Sequence, residues 1–167
     1  IVRKAVEADL ALCETYDHLI RDLENTVLRQ ARIQDPNALL CLNTIPGIGK
    51  ILSLTFLYEI HDIDRFDSVQ RFASYARLIK CETSSAGKRT GSSGAKIGNA
   101  HLKWAFSEAA VTVLSHFPES KKLHTRLKRK HGNGKALSIL AHKIGRTVYF
   151  MLKRNQAFDP DRFLMNA

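Results

Sequence analysis

The chain has 167 residues, 44% hydrophobic and 25% charged, with a formal net charge of +10. That suffices for one domain with a buried core, plus a helical appendage. Cys13, Cys41 and Cys81 lie far apart with no Cys-x-x-Cys pair, which argues against a disulfide framework or a zinc site.

No apolar run reaches bilayer length and no charged-then-apolar leader opens the chain, so a reducing, bacterial cytoplasmic setting without membrane contact is expected. The chain begins without Met inside a helical pattern, which reads as a fragment of something larger. Its charge is uneven. Residues 1–76 hold 8 Lys and Arg against 11 Asp and Glu, whereas residues 77–154 hold 17 against 3. So one-sided a bias marks a polyanion-binding surface, because phosphates offset the self-repulsion that a solvated face would leave standing.

Apolar residues at Val6, Leu10, Cys13, Tyr16, Ile20, Leu23 and Val27 recur in steps of three and four. This predicts a long amphipathic helix over 1–34, either a coiled-coil arm or a helix packed on its own domain. Asp35-Pro36 stops it and opens the next helix, since Pro suits a first turn. Residues 35–167 then form the second expected domain. Within it, Pro46-Gly47-Ile48-Gly49-Lys50 separates two apolar helical stretches. Two glycines in so tight a turn imply special backbone angles or close approach. The turn resembles a helix-hairpin-helix motif, whose amides and second-helix start bind a backbone phosphate, with Lys50 adding a cation. A purely structural turn explains the glycines equally.

Further along, Asp67 is expected to cap a helix from Ser68 to about Ile79. The acids Asp62, Asp64 and Asp67 invite a magnesium reading, but caps and surface turns are the commoner use. Thr83–Asn99 reads as a polar loop of Ser, Gly and cations. Helices follow over Ala100–His116, from Pro118 to about Lys130, and over Lys135–Arg154, with a turn at His131-Gly132-Asn133-Gly134. The fold class is all-α. None of the seven histidines stands at metal-ligand spacing, and no metal site is expected in this chain. The Gly47–Lys50 turn is too short for a Walker loop.

Nucleophilic chemistry would fall to the loop. Ser84, Ser85, Ser92 and Ser93 stand among Lys88, Arg89, Lys96 and Lys103, and cations stabilise charge on a phosphodiester under attack. Composition leaves Ser84 and Ser85 equal.

Three runs carry a resemblance: P-G-I-G-K, Y-E-I-H-D-I-D-R-F-D-S-V-Q-R-F-A-S-Y-A-R-L-I, and S-A-G-K-R-T-G-S-S-G-A-K-I-G-N-A-H-L-K. In this order they resemble the C-terminal domain of DEDD-type insertion-sequence transposases, the bridge-RNA-guided serine recombinases. Ser85-Ala86-Gly87-Lys88 takes the place of that family's Ser-Gly-Gly-Lys, and Lys96, Gly98 and Asn99 match its Lys-x-Gly-Asn element. Its Tyr-x-Gly-Leu-x-Pro segment is here Tyr75-Ala76-Arg77-Leu78-Ile79-Lys80, without the glycine and proline. The resemblance implies a transposase or recombinase in which Ser85 attacks DNA to form a phosphoserine link. It implies DNA contacts at Pro46, Gly47, Gly49, Lys50, Lys88, Arg89, Lys96, Gly98, Asn99 and Lys103. Magnesium would belong to four acids of an N-terminal half outside this chain, and the first helix would help dimers form. A structured guide RNA is a second implied partner. The alternative is a non-catalytic hairpin-type module binding DNA or RNA.

Overall fold

The computed structural model describes residues 2–79, 83–85, 88–91 and 97–165, with the backbone alone at 83–85 and 88–91. The fold is all-α, and the chain separates into two compact units, Ile1–Pro36 and Asn37–Ala167. No described helix is long and apolar enough to cross a membrane.

The first unit is one helix, α1, Val2–Gln34. Its predicted stripe is solvent-facing: Val6, Leu10, Tyr16, Ile20 and Leu23 are all exposed. A rise of 1.5 Å per residue makes α1 about 50 Å long. It ends where expected, at Asp35, and α2 opens on Pro36.

The second unit holds α2 (Pro36–Asn43), α3 (Lys50–Ile60), a 3₁₀ turn (Ile63–Arg65) and α4 (Val69–Tyr75). Strands β1 (Thr83–Ser85) and β2 (Lys88–Gly91) follow, then α5 (Ala100–His116), α6 (Pro118–His131), α7 (Asn133–Arg154) and α8 (Pro160–Met165). Helices α5 and α7 pack against each other at the centre, with α3, α4 and α6 laid on them. Aromatic rings knit this core. Phe56 of α3 stacks on Phe106 of α5 at 4.4 Å, and Phe72 of α4 meets Phe106 edge-on at 6.1 Å. Each such fully buried ring contributes roughly 1.5–3 kcal/mol. Tyr149 of α7 lies in the same core, and its hydroxyl donates to the Phe66 carbonyl at 3.2 Å. A second cluster, Phe117, Phe158 and Phe163, seats α8 on the base of α6.

Four features differ from expectation. Ser68, not Asp67, caps α4, accepting from the Arg71 amide at 3.3 Å, while Asp67 pairs with the Arg71 side chain. Helix α4 then stops at Tyr75, four residues early. Arg77 takes a left-handed φ of 53°, its amide bonds the Ser74 carbonyl, and the Leu78 amide bonds that of Ala73. That pair of bonds is a Schellman cap. Helix α7 starts at Asn133, so Gly132 alone separates it from α6. Finally, the expected loop holds an antiparallel pair, with Ser84 opposite Arg89 and Ser85 opposite Lys88. Backbone pairing satisfies peptide groups that a Ser- and Gly-rich run would otherwise leave to water, and no apolar alternation announces it in the sequence.

Candidate nucleic-acid interface

The hairpin comes first. Turn residues 44–49 bring α2 to α3, with Ile45 and Ile48 buried beneath them. The two glycines differ in kind. Gly47 has φ +84°, and a Cβ there would meet the Thr112 carbonyl oxygen of α5 at 2.6 Å. It is glycine so that the turn can lie directly on the α5 backbone. Gly49 has an extended backbone, φ −90°, and a Cβ there would meet nothing within 4 Å. The sequence suggested a special need at both, and only Gly47 has it. Gly49 is the N-cap of α3 and offers no side-chain cap, so amides of the first α3 turn lack a side-chain acceptor there. Pro46 and Lys50 are half-buried beside it.

At the far end of α3 lies a second constellation. Asn99 caps α5 by accepting from the Leu102 amide at 2.9 Å. Its Nδ2 donates to Glu59 Oε2 of α3 at 2.6 Å and to the Tyr75 hydroxyl of α4 at 3.3 Å. Its own amide donates to the Tyr75 carbonyl at 2.7 Å. One asparagine thereby ties three helix ends. Gly98 beside it has φ +98°, and a Cβ would meet the Tyr75 carbonyl oxygen at 2.5 Å. The Arg65 guanidinium lies 4.6 Å from both the Phe66 and Tyr75 ring centres. The bond from Asn99, helped by Arg65, lowers the Tyr75 phenol below its usual range despite burial.

The site residues therefore fall in two groups. Pro46, Gly47, Gly49 and Lys50 stand at the start of α3, and Gly98 and Asn99 at its end, about 14 Å along the axis for nine residues. Lys103 is exposed, one turn into α5. Ser85, Lys88 and Arg89 are in the β-hairpin by backbone alone, and Lys96 lies outside the described residues.

The three acids have other duties. Asp62 caps the 3₁₀ turn through the Asp64 amide at 2.7 Å, Asp64 pairs with Lys153 of α7, and Asp67 holds Arg71. Among the described residues no three His, Cys, Asp or Glu side chains converge as a metal set.

Sequence reasoning singled out no residue of α6. Lys121, Lys122, Arg126, Arg129 and Lys130 line one shallow depression on it, and their spacing by four and five is readable in the sequence. Glu59, Tyr75 and Arg77 were not among the expected site residues, because only the fold brings them to Gly98 and Asn99.

The profile of the IS116/IS110/IS902 transposase family matches residues 40–125, from α2 to within α6. The chain is also similar to an insertion element IS116 uncharacterized 44.8 kDa protein of Streptomyces clavuligerus, 26% identical over 149 residues. That alignment covers 86% of this chain and 36% of the relative, so the chain spans about a third of that protein's length. The matched residues include the hairpin, the Glu59–Tyr75–Asn99 junction and the β-hairpin between α4 and α5, and the chain belongs to the IS116/IS110/IS902 transposase family.

Proposed function

We propose that this chain is the DNA-binding and serine-bearing part of a DNA transposase that cleaves and exchanges strands. Ser85 is the nucleophile: its hydroxyl oxygen forms a phosphoserine bond, and the sugar oxygen leaves. The cations Lys88, Arg89, Lys96 and Lys103 offset charge on the non-bridging oxygens. The start of α3, with Pro46, Gly49 and Lys50, holds a backbone phosphate without reading bases. Gly47 and the Gly98–Asn99 pair serve by setting the α3, α4 and α5 ends that carry these groups.

The observation that carries this reading is the register of the β-hairpin, in which Ser85 stands opposite Lys88 within the family-matched span. That pairing sets the matched serine opposite the matched lysine in backbone register. Among the described residues no three acids converge as a metal set; the magnesium that the resemblance implies would be held by acids outside this chain, and no step is assigned to it here. The exposed stripe of α1 suits pairing with a second copy. A structured guide RNA is the further partner.

The test is covalent trapping. With the full-length protein and DNA carrying its element ends, Ser85→Ala should abolish the denaturant-resistant protein–DNA adduct, whereas Ser84→Ala should reduce it only modestly. An adduct persisting in Ser85→Ala would move the nucleophile elsewhere. Absence of any adduct from the unaltered protein, with duplex binding retained, would favour a non-catalytic binding module.

A further inference from the structure

Beyond the hairpin, α6, α7 and α8 enclose a groove of about 920 Å³. That is near the upper end of small-ligand sites, which run to about 1,000 Å³. Its floor is apolar, with Leu123, Leu127 and Met151 among its lining, and its cations are Lys143, Arg146, Arg154 and Arg162. Asp159 is the one carboxylate in that lining, and it is engaged as the cap of α8, accepting from the Arg162 amide at 2.9 Å.

Lys143 is the unusual member. Its Nζ is buried without a hydrogen-bond partner and lies 5.1 Å from the Phe163 ring centre. A buried ammonium lacking acceptors is costly, and an anion brought to it would supply them. Burial, with the charges of Arg126 and Arg146, pushes its pKa down. At the other end of the groove the Arg154 guanidinium lies 5.0 Å from the Phe150 ring centre. One face of that planar cation rests on the ring, and the other suits a stacked base.

We propose that this groove binds single-stranded nucleic acid, with phosphate on Lys143 and Arg146 and a base stacked on Arg154. Two features favour a strand over other polyanions. Lys143 and Arg154 stand eleven residues apart on α7, about 16 Å along one face, the reach of two or three nucleotides. The recessed apolar floor accepts unstacked bases, whereas a duplex keeps its bases inside and its phosphates on a rigid outer cylinder that does not reach a buried Nζ. An acidic peptide would match the charge but gives the Arg154 plane nothing to stack on. The groove involves residues beyond the family-matched span, since α7 and α8 follow residue 125. It shares with the proposed function only the premise that the partner is nucleic acid.

The experiment measures fluorescence anisotropy of the full chain with a labelled 15-nucleotide oligothymidylate and with a labelled duplex. Lys143→Met retains stem length and apolar packing, and Arg154→Ala removes the stacking plane at an exposed position. Each should weaken single-strand binding about tenfold while duplex affinity stays within about twofold. Lys143→Met should also leave the melting temperature unchanged or raise it, which a structural role for the ammonium would not do. Lys50→Ala, by contrast, should affect the duplex alone, so failure of the hairpin reading and failure of this one are separable. Unchanged single-strand affinity in both groove variants would overturn the proposal.

Discussion

Arg77 Nε donates to the carbonyl of Gly98 at 2.9 Å, so the residue that terminates α4 holds the residue that precedes α5. Arg77 does this from a left-handed backbone, where glycine would be free of strain and arginine is not. The long side chain offsets that strain by its reach across 21 residues of chain.

The first prediction sets the two terms against each other. Arg77→Gly relieves about 1–2 kcal/mol of left-handed strain and loses a hydrogen bond worth about 1 kcal/mol, leaving stability within about 1 kcal/mol of the parent. Arg77→Val loses the bond and keeps the strain, so it should destabilise clearly. Urea denaturation of both decides it. Equal losses in the two variants would show that the backbone angle costs nothing.

Gly98→Ala and Asn99→Ala test the same junction from its other side. Alanine at 98 must move the Tyr75 carbonyl and adopt positive φ, costing about 2–3 kcal/mol. Loss of Asn99 removes a helix cap worth about 1 kcal/mol and leaves Glu59 without its donor, for a total near 2 kcal/mol. If both variants melt like the parent and only DNA binding falls, these residues contact DNA directly instead of shaping the helix ends.

The hairpin glycines should separate. Gly47→Ala forces a Cβ against the Thr112 carbonyl and should destabilise by about 2 kcal/mol or more. Gly49→Ala has open space and an ordinary φ, so it should leave the fold within about 0.5 kcal/mol. Thermal melts of the pair suffice. A Gly49→Ala chain as unstable as Gly47→Ala would mean that the turn is strained at both.

Phosphate contact by the hairpin has a salt signature. Duplex affinity should fall with a log–log slope of about −0.9 per phosphate neutralised, and Lys50→Ala should make the slope shallower by about one such unit. Its melting point should not move. An identical slope in Lys50→Ala removes the hairpin from the interface.

His142 supplies a pH dependence. Burial, aided by the charge of Arg146, holds its pKa below the ordinary 6.5. The unfolded chain then binds the proton more readily than the folded chain. Stability is therefore full above about 6.5 and declines as pH falls through the lowered folded-state value. His142→Gln should flatten that part of the stability curve in a series of denaturant titrations. A curve of unchanged slope would place the effect at another group.

Much of the helical skeleton was legible without coordinates. The bounds of α5, the Pro118 start of α6, the Arg154 end of α7 and the Asp35–Pro36 break follow from apolar spacing and from the missing amide of proline, and both act between near neighbours. The charge bias of residues 77–154 was legible for the same reason: it is a count. What tertiary structure alone decided is wherever one backbone meets another. Gly47 and Gly49 read alike in a string of residues, yet only Gly47 lies against α5. The early stop of α4 depends on the cap at Arg77, and Arg77 in turn holds Gly98 across the β-hairpin segment. The groove at Lys143 exists because α8 returns to α6 through Phe117, Phe158 and Phe163. Helix propensity and charge are local sums along the chain, whereas close approach and burial depend on residues that only folding makes neighbours.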